Sequence, residues 1–225
     1  MFLPAFVPLY KFLFKQQIQV AKLIFLRYLC GISWETIVTE ISLSFPQLET
    51  ERLILREFRL DEDDQMALFR IFSDSRVTRY YNLNTFTEPQ EAWRLLHRRR
   101  GRFWQGRGIR WAITLKGKDE IIGSCGFNSL NKKKQMGELG YELARPFWQK
   151  GIMTEAVSAA VAYGFTELAL CRIEAWVMPA NRASANLLLK VGFQSEGVLE
   201  GKGYWDGRFH DLELFSLLAE QWPTT

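Results

Sequence analysis

Residues 140–157, GYELARPFWQKGIMTEAV, carry an apolar strand through Pro146, Phe147 and Trp148 to a lysine–glycine pair and then into a run of small, helix-forming residues. A strand that ends beside a helix N-terminus leaves several backbone N–H groups without an intrahelical partner. The helix dipole makes that corner attractive to negative charge, and a glycine lets a ligand approach the chain closely. The simplest guest for such a corner is a phosphate.

The rest of the chain restricts what surrounds this corner. At 225 residues it is long enough for one α/β domain with a sizeable core and a further segment of about 45 residues. Cys30, Cys125 and Cys171 are widely separated and only His97 and His210 are present. That argues against a disulfide framework or a zinc site and fits a reducing, cytoplasmic setting with no metal.

The net charge of +4 is unevenly placed. Residues 1–30 hold Lys11, Lys15, Lys22 and Arg27 with no acid, leaving 25 basic against 25 acidic residues beyond. Leu13, Phe14, Ile18, Ala21, Ile24, Phe25 and Tyr28 recur at helical spacing, with Lys11, Lys15 and Lys22 on the opposite face. Residues 1–45 therefore read as a basic amphipathic helical leader ahead of a domain at 46–225. No charge-free run reaches the ~18 residues of a membrane span, and the flanks are not those of a signal peptide. The leader could pack on its own domain or a partner protein, lie on a membrane surface, or stand apart from the fold.

Beyond Pro46 the segments alternate. Arg52 to Phe58 predicts a strand, and Asp61, Glu62, Asp63 and Asp64 suit the N-terminus of a helix carrying Met66, Leu68, Phe69 and Phe72. A second helix is expected from a Thr87 cap, with Pro89 in its first turn and Gln90 three residues on. Strands follow at Trp111 to Leu115, Glu120 to Phe127 and Met136 to Leu143. After the corner come a helix to about Glu167, a strand from Arg172 to Val177, a short helix from Asn181, and two strands joined at Asp206-Gly207, a strong hairpin signal.

This order, with RLILREF, ELGYELARPFWQKGIMTEAV, ANRASANLLLKVGF and GYWDGRFHDLELFSLL in register over residues 49–219, resembles the GNAT family of acyl-CoA-dependent N-acetyltransferases. The similarity is greatest to the branch that contains ribosomal-protein N-terminal acetyltransferases. The resemblance implies an α/β fold of the α+β kind. Its mixed, mostly antiparallel sheet would have seven strands and about four helices, with the N-terminal helical extension added. It implies acetyl-CoA as co-substrate and a primary amine as acceptor. The strands around Tyr141 and Ile173 should splay so that the pantetheine arm enters between them.

The family's phosphate loop, Arg/Gln-x-x-Gly-x-Gly/Ala, falls here on Trp148, Gln149, Lys150, Gly151, Ile152 and Met153. With Leu143 and Thr154 these are the expected cofactor-binding positions. Trp148 and Met153 depart from the pattern, but a loop that binds through backbone N–H groups tolerates that. Asn181 and Ser184 read from the residues alone as a helix cap and its third position. The resemblance adds that Asn181 contacts pantetheine or substrate and that Ser184 protonates the departing thiolate. For the general base, Glu196 in GFQSEGVLEG matches a glutamate proposed for that role in the ribosomal-protein enzymes, with Glu138 the alternative and Glu142 on the same side of its strand.

Cys125 alternates like a core residue and has no histidine beside it in sequence. Arg94, Arg98, Arg99, Arg100 and Arg102 read as a solvated helix end, with recognition of an acidic acceptor or of RNA as weaker alternatives, and nucleic acid is not an expected partner. The expected activity is acetyl transfer to a protein N-terminal amine by direct attack. A small polyamine or antibiotic amine, or a non-catalytic acyl-CoA-binding module, are the other readings. Monomer and homodimer stay open.

Overall fold

The computed structural model describes residues 44–223. Nearly all of the 1–45 leader, and with it the membrane or partner contact expected there, lies outside the described residues. Eight strands form one sheet in the order β1 (Leu48–Glu49), β2 (Leu53–Arg56), β3 (Ile109–Leu115), β4 (Gly123–Asn131), β5 (Met136–Leu143), β6 (Arg172–Val177), β8 (Arg208–Leu218) and β7 (Gln194–Trp205). Every pairing is antiparallel except β5 with β6. The strand beyond the expected seven is the two-residue β1, too short for sequence periodicity to register.

Helices α1 (Glu62–Phe72), α2 (Ser75–Thr78) and α3 (Pro89–Trp104) precede β3, α4 (Ile152–Thr166) links β5 to β6, and α5 (Arg182–Val191) links β6 to β7. One core joins Leu68, Phe72, Leu95 and Leu96 of α1 and α3 to Phe58 and Ala112. The other joins Ala156, Ala160 and Val161 of α4 and Leu188 of α5 to Leu53, Ile113, Phe127 and Ile173. The sheet is thus covered on both faces, and alternate residues of its central strands serve opposite layers.

Local chemistry sets most boundaries. Asp61 caps α1 by accepting from the Asp64 N–H at 2.9 Å. Asp64 itself is not a solvated cap residue, being buried and bonded by both guanidinium Nη atoms of Arg56 at 2.7 and 2.8 Å. The start of α3 differs from expectation by one residue. Glu88 is the cap, and the Glu91 carboxylate accepts from the N–H groups of Thr87 and Glu88 at 2.7 and 3.0 Å. A carboxylate reaches back more effectively there than the Gln90 amide, which lies one position out of phase. β4 begins later than expected: Ile121 and Ile122 are buried in the two opposite cores, and regular pairing starts at Gly123.

Gly192 closes α5 at φ 109°, its N–H bonded to the Leu188 and Leu189 carbonyls, and Phe193 is buried behind it. The β7–β8 hairpin turns on Asp206 (φ 51°) and Gly207 (φ 71°), two left-handed residues in the twist-matched turn that the dipeptide signals. Cys125 is a core residue. Its thiol donates to the Ala156 carbonyl at 3.5 Å, and burial pushes its pKa up to about 12.

α4 lies hard against the sheet because its inner face is made of small residues. A Cβ added at Gly164 would stand 2.6 Å from Phe127 Cζ and 3.2 Å from Ile173 Cδ1. Gly164→Ala is therefore expected to destabilise the fold by about 1–3 kcal/mol, the cost of overpacking, despite alanine's better helix propensity. Urea unfolding followed by circular dichroism measures the sign. Stabilisation by the propensity gain would show that α4 can move off the sheet.

Candidate active site

β5 and β6 pair in parallel only at Met136–Arg172, Gly137–Ile173 and Glu138–Glu174. Beyond these three pairs the strands diverge, so Leu139–Leu143 and Ala175–Val177 face each other without ladder bonds. Ile173 itself remains paired, and the divergence starts two residues later, at Ala175. A cleft of about 1140 Å³ runs through the opening.

The corner at residues 148–154 forms one end of this cleft. Gly151 is the N-cap of α4 at φ 73° and ψ −2°, and Gln149 is also left-handed at φ 59°. Glu155 N–H bonds to the Gly151 carbonyl at 3.1 Å, so the N–H groups of Ile152, Met153 and Thr154 precede the first intrahelical bond and point out of the helix end. The β1–β2 turn pins this end. Arg52 Nη1 donates to the Lys150 carbonyl at 2.9 Å, while Arg52 Nε, Arg52 N–H and Thr50 Oγ1 donate to the Glu155 carboxylate at 2.6, 2.9 and 2.5 Å. Trp148 has a role that the loop pattern did not indicate: its indole N–H donates to the Leu143 carbonyl at 2.7 Å and ties the loop to the end of β5.

Of the expected cofactor positions, Leu143, Trp148, Gln149, Gly151, Ile152, Met153, Thr154 and Asn181 line the cleft. Lys150 does not. It contributes its carbonyl to Arg52, and its ammonium stands 5.9 Å from the Phe147 ring centroid. The left-handed glycine and the open helix end suit the pyrophosphate of a coenzyme A thioester, because a Cβ at Gly151 would meet only Arg52 Nη2, at 3.4 Å.

Alternation along the strands gives the cleft two chemically different sides. On the α4–α5 side, the Tyr141 hydroxyl lies 2.6 Å from Ser184 Oγ. Burial pushes the Tyr141 phenol well above its ordinary pKa, so it stays protonated. The Ser184 backbone N–H donates to Asn181 Oδ1 at 3.2 Å, which is the cap expected from the sequence. The Ser184 hydroxyl is not part of that cap and is free to serve Tyr141. On the α1–α3 side stand Glu138, Tyr81 and Glu142.

Glu142 and Glu196 depart from a simple pair of candidate bases. Glu142 is buried and salt-bridged to two guanidinium groups, Arg99 at 3.0 Å and Arg110, and it accepts from Tyr81 at 2.9 Å and from Ser124. Burial alone would raise its pKa, but Arg110 and Arg99 outweigh that and hold the carboxyl below its usual range. Glu196 is not brought to the cleft. It sits on β7 in an ion pair with Arg172 at 2.8 Å and accepts from Ser216. The Arg172 and Ser216 bonds keep it ionised but committed. Glu138 does line the cleft, with Ser129 Oγ 3.4 Å away.

Tyr141, Tyr81, Arg99 and Arg110 are the residues that sequence reasoning did not assign to the site. Only for Tyr141 was a signal present, its position two residues from Leu139 and from Leu143 on the α5-facing side of β5. The solvated-helix-end reading of the arginine run holds for Arg94, Arg98 and Arg102, which are exposed. It fails for Arg99, buried over the Phe58 and Phe72 rings, and for Arg100, bonded to Glu57 at 2.7 Å. Among the described residues, no group of three or more His, Cys, Asp or Glu could hold a metal, and no helix is long and apolar enough to cross a membrane.

A sheet opened between two parallel strands, with a free helix N-terminus at one end and hydroxyl and carboxylate groups beside the gap, is an arrangement suited to an acyl-CoA-dependent transferase. The family profile described as Acetyltransferase (GNAT) domain matches residues 52–194. The uncharacterised N-acetyltransferase YoaA of Bacillus subtilis is 41% identical over 174 residues, covering 77% of this chain and 97% of its own. The [Ribosomal protein uS5]-alanine N-acetyltransferase of Escherichia coli is 31% identical over 119 residues, 52% of this chain and 61% of that one. A GNAT-family acetyltransferase from Bacillus anthracis superposes with a TM-score of 0.69 at 25% identity, covering 78% of this chain and 99% of its own. The chain belongs to the GNAT family and is an acetyl-CoA-dependent N-acetyltransferase.

Glu142 gives this site a pH signature. Because its folded pKa is depressed, its contribution to stability is present above the unfolded value of about 4.3 and is lost as pH falls through the folded value. Glu142→Gln leaves Arg99 and Arg110 buried without an anion and should cost about 3–5 kcal/mol at neutral pH, with a shallower loss of stability in acid than the parent shows. Urea midpoints from pH 7 to pH 3 test both. Equal acid slopes would remove Glu142 from this role.

Proposed function

We propose that the protein acetylates the N-terminal amine of a protein substrate by direct attack on acetyl-CoA. In this reading Ser184 and Tyr141 supply the proton to the thiolate, and Glu138 accepts one from the amine. The observation that carries it is the Tyr141–Ser184 hydroxyl pair at 2.6 Å on one side of the β5–β6 gap, with Glu138 lining the other. The two proton-transfer roles fall on opposite sides of the place where a thioester and an amine would meet.

In this scheme the N–H groups at the start of α4 hold the pyrophosphate, and the open edges of β5 and β6 receive the pantetheine arm. The bound thioester supplies an activated acetyl group. The amine nitrogen forms the C–N bond as the C–S bond breaks, and the Ser184 hydroxyl gives its proton to sulfur. Tyr141, kept protonated in the resting enzyme by burial, restores it through their shared hydrogen bond and regains its own proton from solvent, to which Glu138 releases the amine proton. Glu138 takes the amine proton directly or through a water. A carboxylate is adequate for this because an α-amine titrates near 7.7–8.0, where about a tenth or more is already neutral at pH 7. A lysine side chain, at about 10.4, makes a heavier demand. The relationship to the uS5-alanine acetyltransferase supports the same acceptor class.

Gly151→Asp should abolish acetyl-CoA binding in calorimetry. Aspartate tolerates the left-handed conformation and the position has room for a Cβ, so the fold should persist while a negative charge enters the pyrophosphate corner. Unchanged affinity would move the pyrophosphate elsewhere.

Ser184→Ala should lower kcat by about 10²-fold with acetyl-CoA affinity spared, and the Ser184→Ala/Tyr141→Phe pair should be no worse than the worse single variant. The cap survives this change, since it uses the backbone N–H. Glu138→Gln should slow the reaction most below pH 8 and progressively less above it, where free amine is plentiful. A loss independent of pH would exclude Glu138 as the base.

A further inference from the structure

We propose that Arg79 and Lys202 select acceptors carrying a carboxylate within their first few residues, so that the enzyme favours acidic N-termini and discriminates against polycationic amines. This rests on the N-terminal amine reading given above.

The inference starts from the side of the sheet that Glu138 occupies. Along β6, Ala175 and Val177 are buried in the α4–α5 core, which turns Trp176 between them to the opposite face, the one shared by Glu138 and Glu142. Lys202, on β7, stands with its ammonium 5.0 Å over the Trp176 ring. Across the cleft, on the turn after α2, the Arg79 guanidinium carbon lies 5.2 Å from the Tyr80 ring centroid. Both cations line the cleft and both side chains are solvent-accessible. An aromatic face steadies a cation without neutralising it.

Of the other cations lining the cleft, Lys190 belongs to α5, on the opposite layer, and Arg76 is engaged. Arg76 is paired with Asp74 at 3.0 Å. Glu142 is compensated by Arg99 and Arg110, which together exceed it by one positive charge beneath the cleft floor. Glu138 is then the one cleft-lining carboxylate without a cationic partner among the described residues, and it shares the cleft with Arg79 and Lys202. An acceptor with several ammonium groups meets like charge from both and can pair with a single carboxylate. An N-terminal amine followed closely by Asp or Glu can direct the amine to Glu138 and its carboxylate to Arg79 or Lys202. Such complementarity acts on specificity by penalising the wrong partner as well as by attracting the right one.

The test compares kcat/KM of the full-length protein for three peptides that differ only at positions two and three, bearing Glu, Gln or Lys, with spermidine as a fourth acceptor. The Glu peptide should exceed the Lys peptide by about tenfold at low salt, which is about 1.4 kcal/mol and within reach of two exposed charge contacts. The ratio should fall several-fold in Lys202→Gln and in Arg79→Gln, invert in Lys202→Glu/Arg79→Glu, and be retained in Lys202→Arg. Using the ratio within each variant removes any effect of a smaller folded fraction. Equal use of the three peptides by the parent protein, or a ratio unmoved by the double reversal, overturns the charge selection while leaving N-terminal acetylation standing. Acetylation of spermidine with no peptide modified overturns both.

Discussion

Glu142 is the one carboxylate to which two buried guanidinium groups, Arg99 and Arg110, are directed, and the central strand of the sheet is held open through it. A buried charge pair is a poor source of net stability, but removing one partner is expensive. The cluster therefore fixes position more than it adds stability. It joins α3 through Arg99, β3 through Arg110, β4 through Ser124 and Asn128, and the turn after α2 through Tyr81. Gly140 makes this possible, since a Cβ there would come within 2.4 Å of Asn128 Nδ2 and 2.7 Å of Arg110 Nη1.

The upper half of β5 needs such support because it has lost its neighbour on one edge. A strand without a ladder partner is prone to pairing with whatever strand is near. Here it is held from three directions: Glu142 by the arginines, Tyr141 by Ser184 of α5, and the Leu143 carbonyl by the Trp148 indole. With these positions fixed, β5 and β6 stay parted beyond Glu138–Glu174, and in the proposed reading the slot takes the pantetheine arm. The Tyr141–Ser184 contact beside the slot is also the pair proposed above for proton transfer, so in that reading structure and chemistry share the same two hydroxyls.

The corner at Gly151 was legible because its requirements are local. A left-handed glycine before a small-residue helix is a property of a few consecutive residues, and both features appear where the sequence places them. The same is true of the Asp206-Gly207 hairpin and the Asn181 cap. Trp148 shows the limit of motif reading, since a pattern that records a departure from arginine or glutamine does not say where an indole N–H will go. The base assignment shows another. Glu196 follows a family position, but its partners Arg172 and Ser216 lie 24 and 20 residues away in sequence and are brought to it by the pairing of β6, β7 and β8.

The sequence by itself determined most of the order of elements, the glycine corner at residue 151 and the cap that starts α5, because each is written in spacing of 2 to 4 residues that sets periodicity, caps and turns, and the family showed in four motifs held in register along the chain. Tertiary structure alone decided which carboxylates face the cleft, that Arg99 leaves the helix surface for the interior while Arg98 stays in solvent, and that Tyr141 meets Ser184 across 43 residues. Those choices depend on desolvation and on through-space charge, which act between groups that the fold makes neighbours. A carboxylate four residues along a strand from another becomes a buried anchor or an available base according to which guanidinium groups the opposite layer presents.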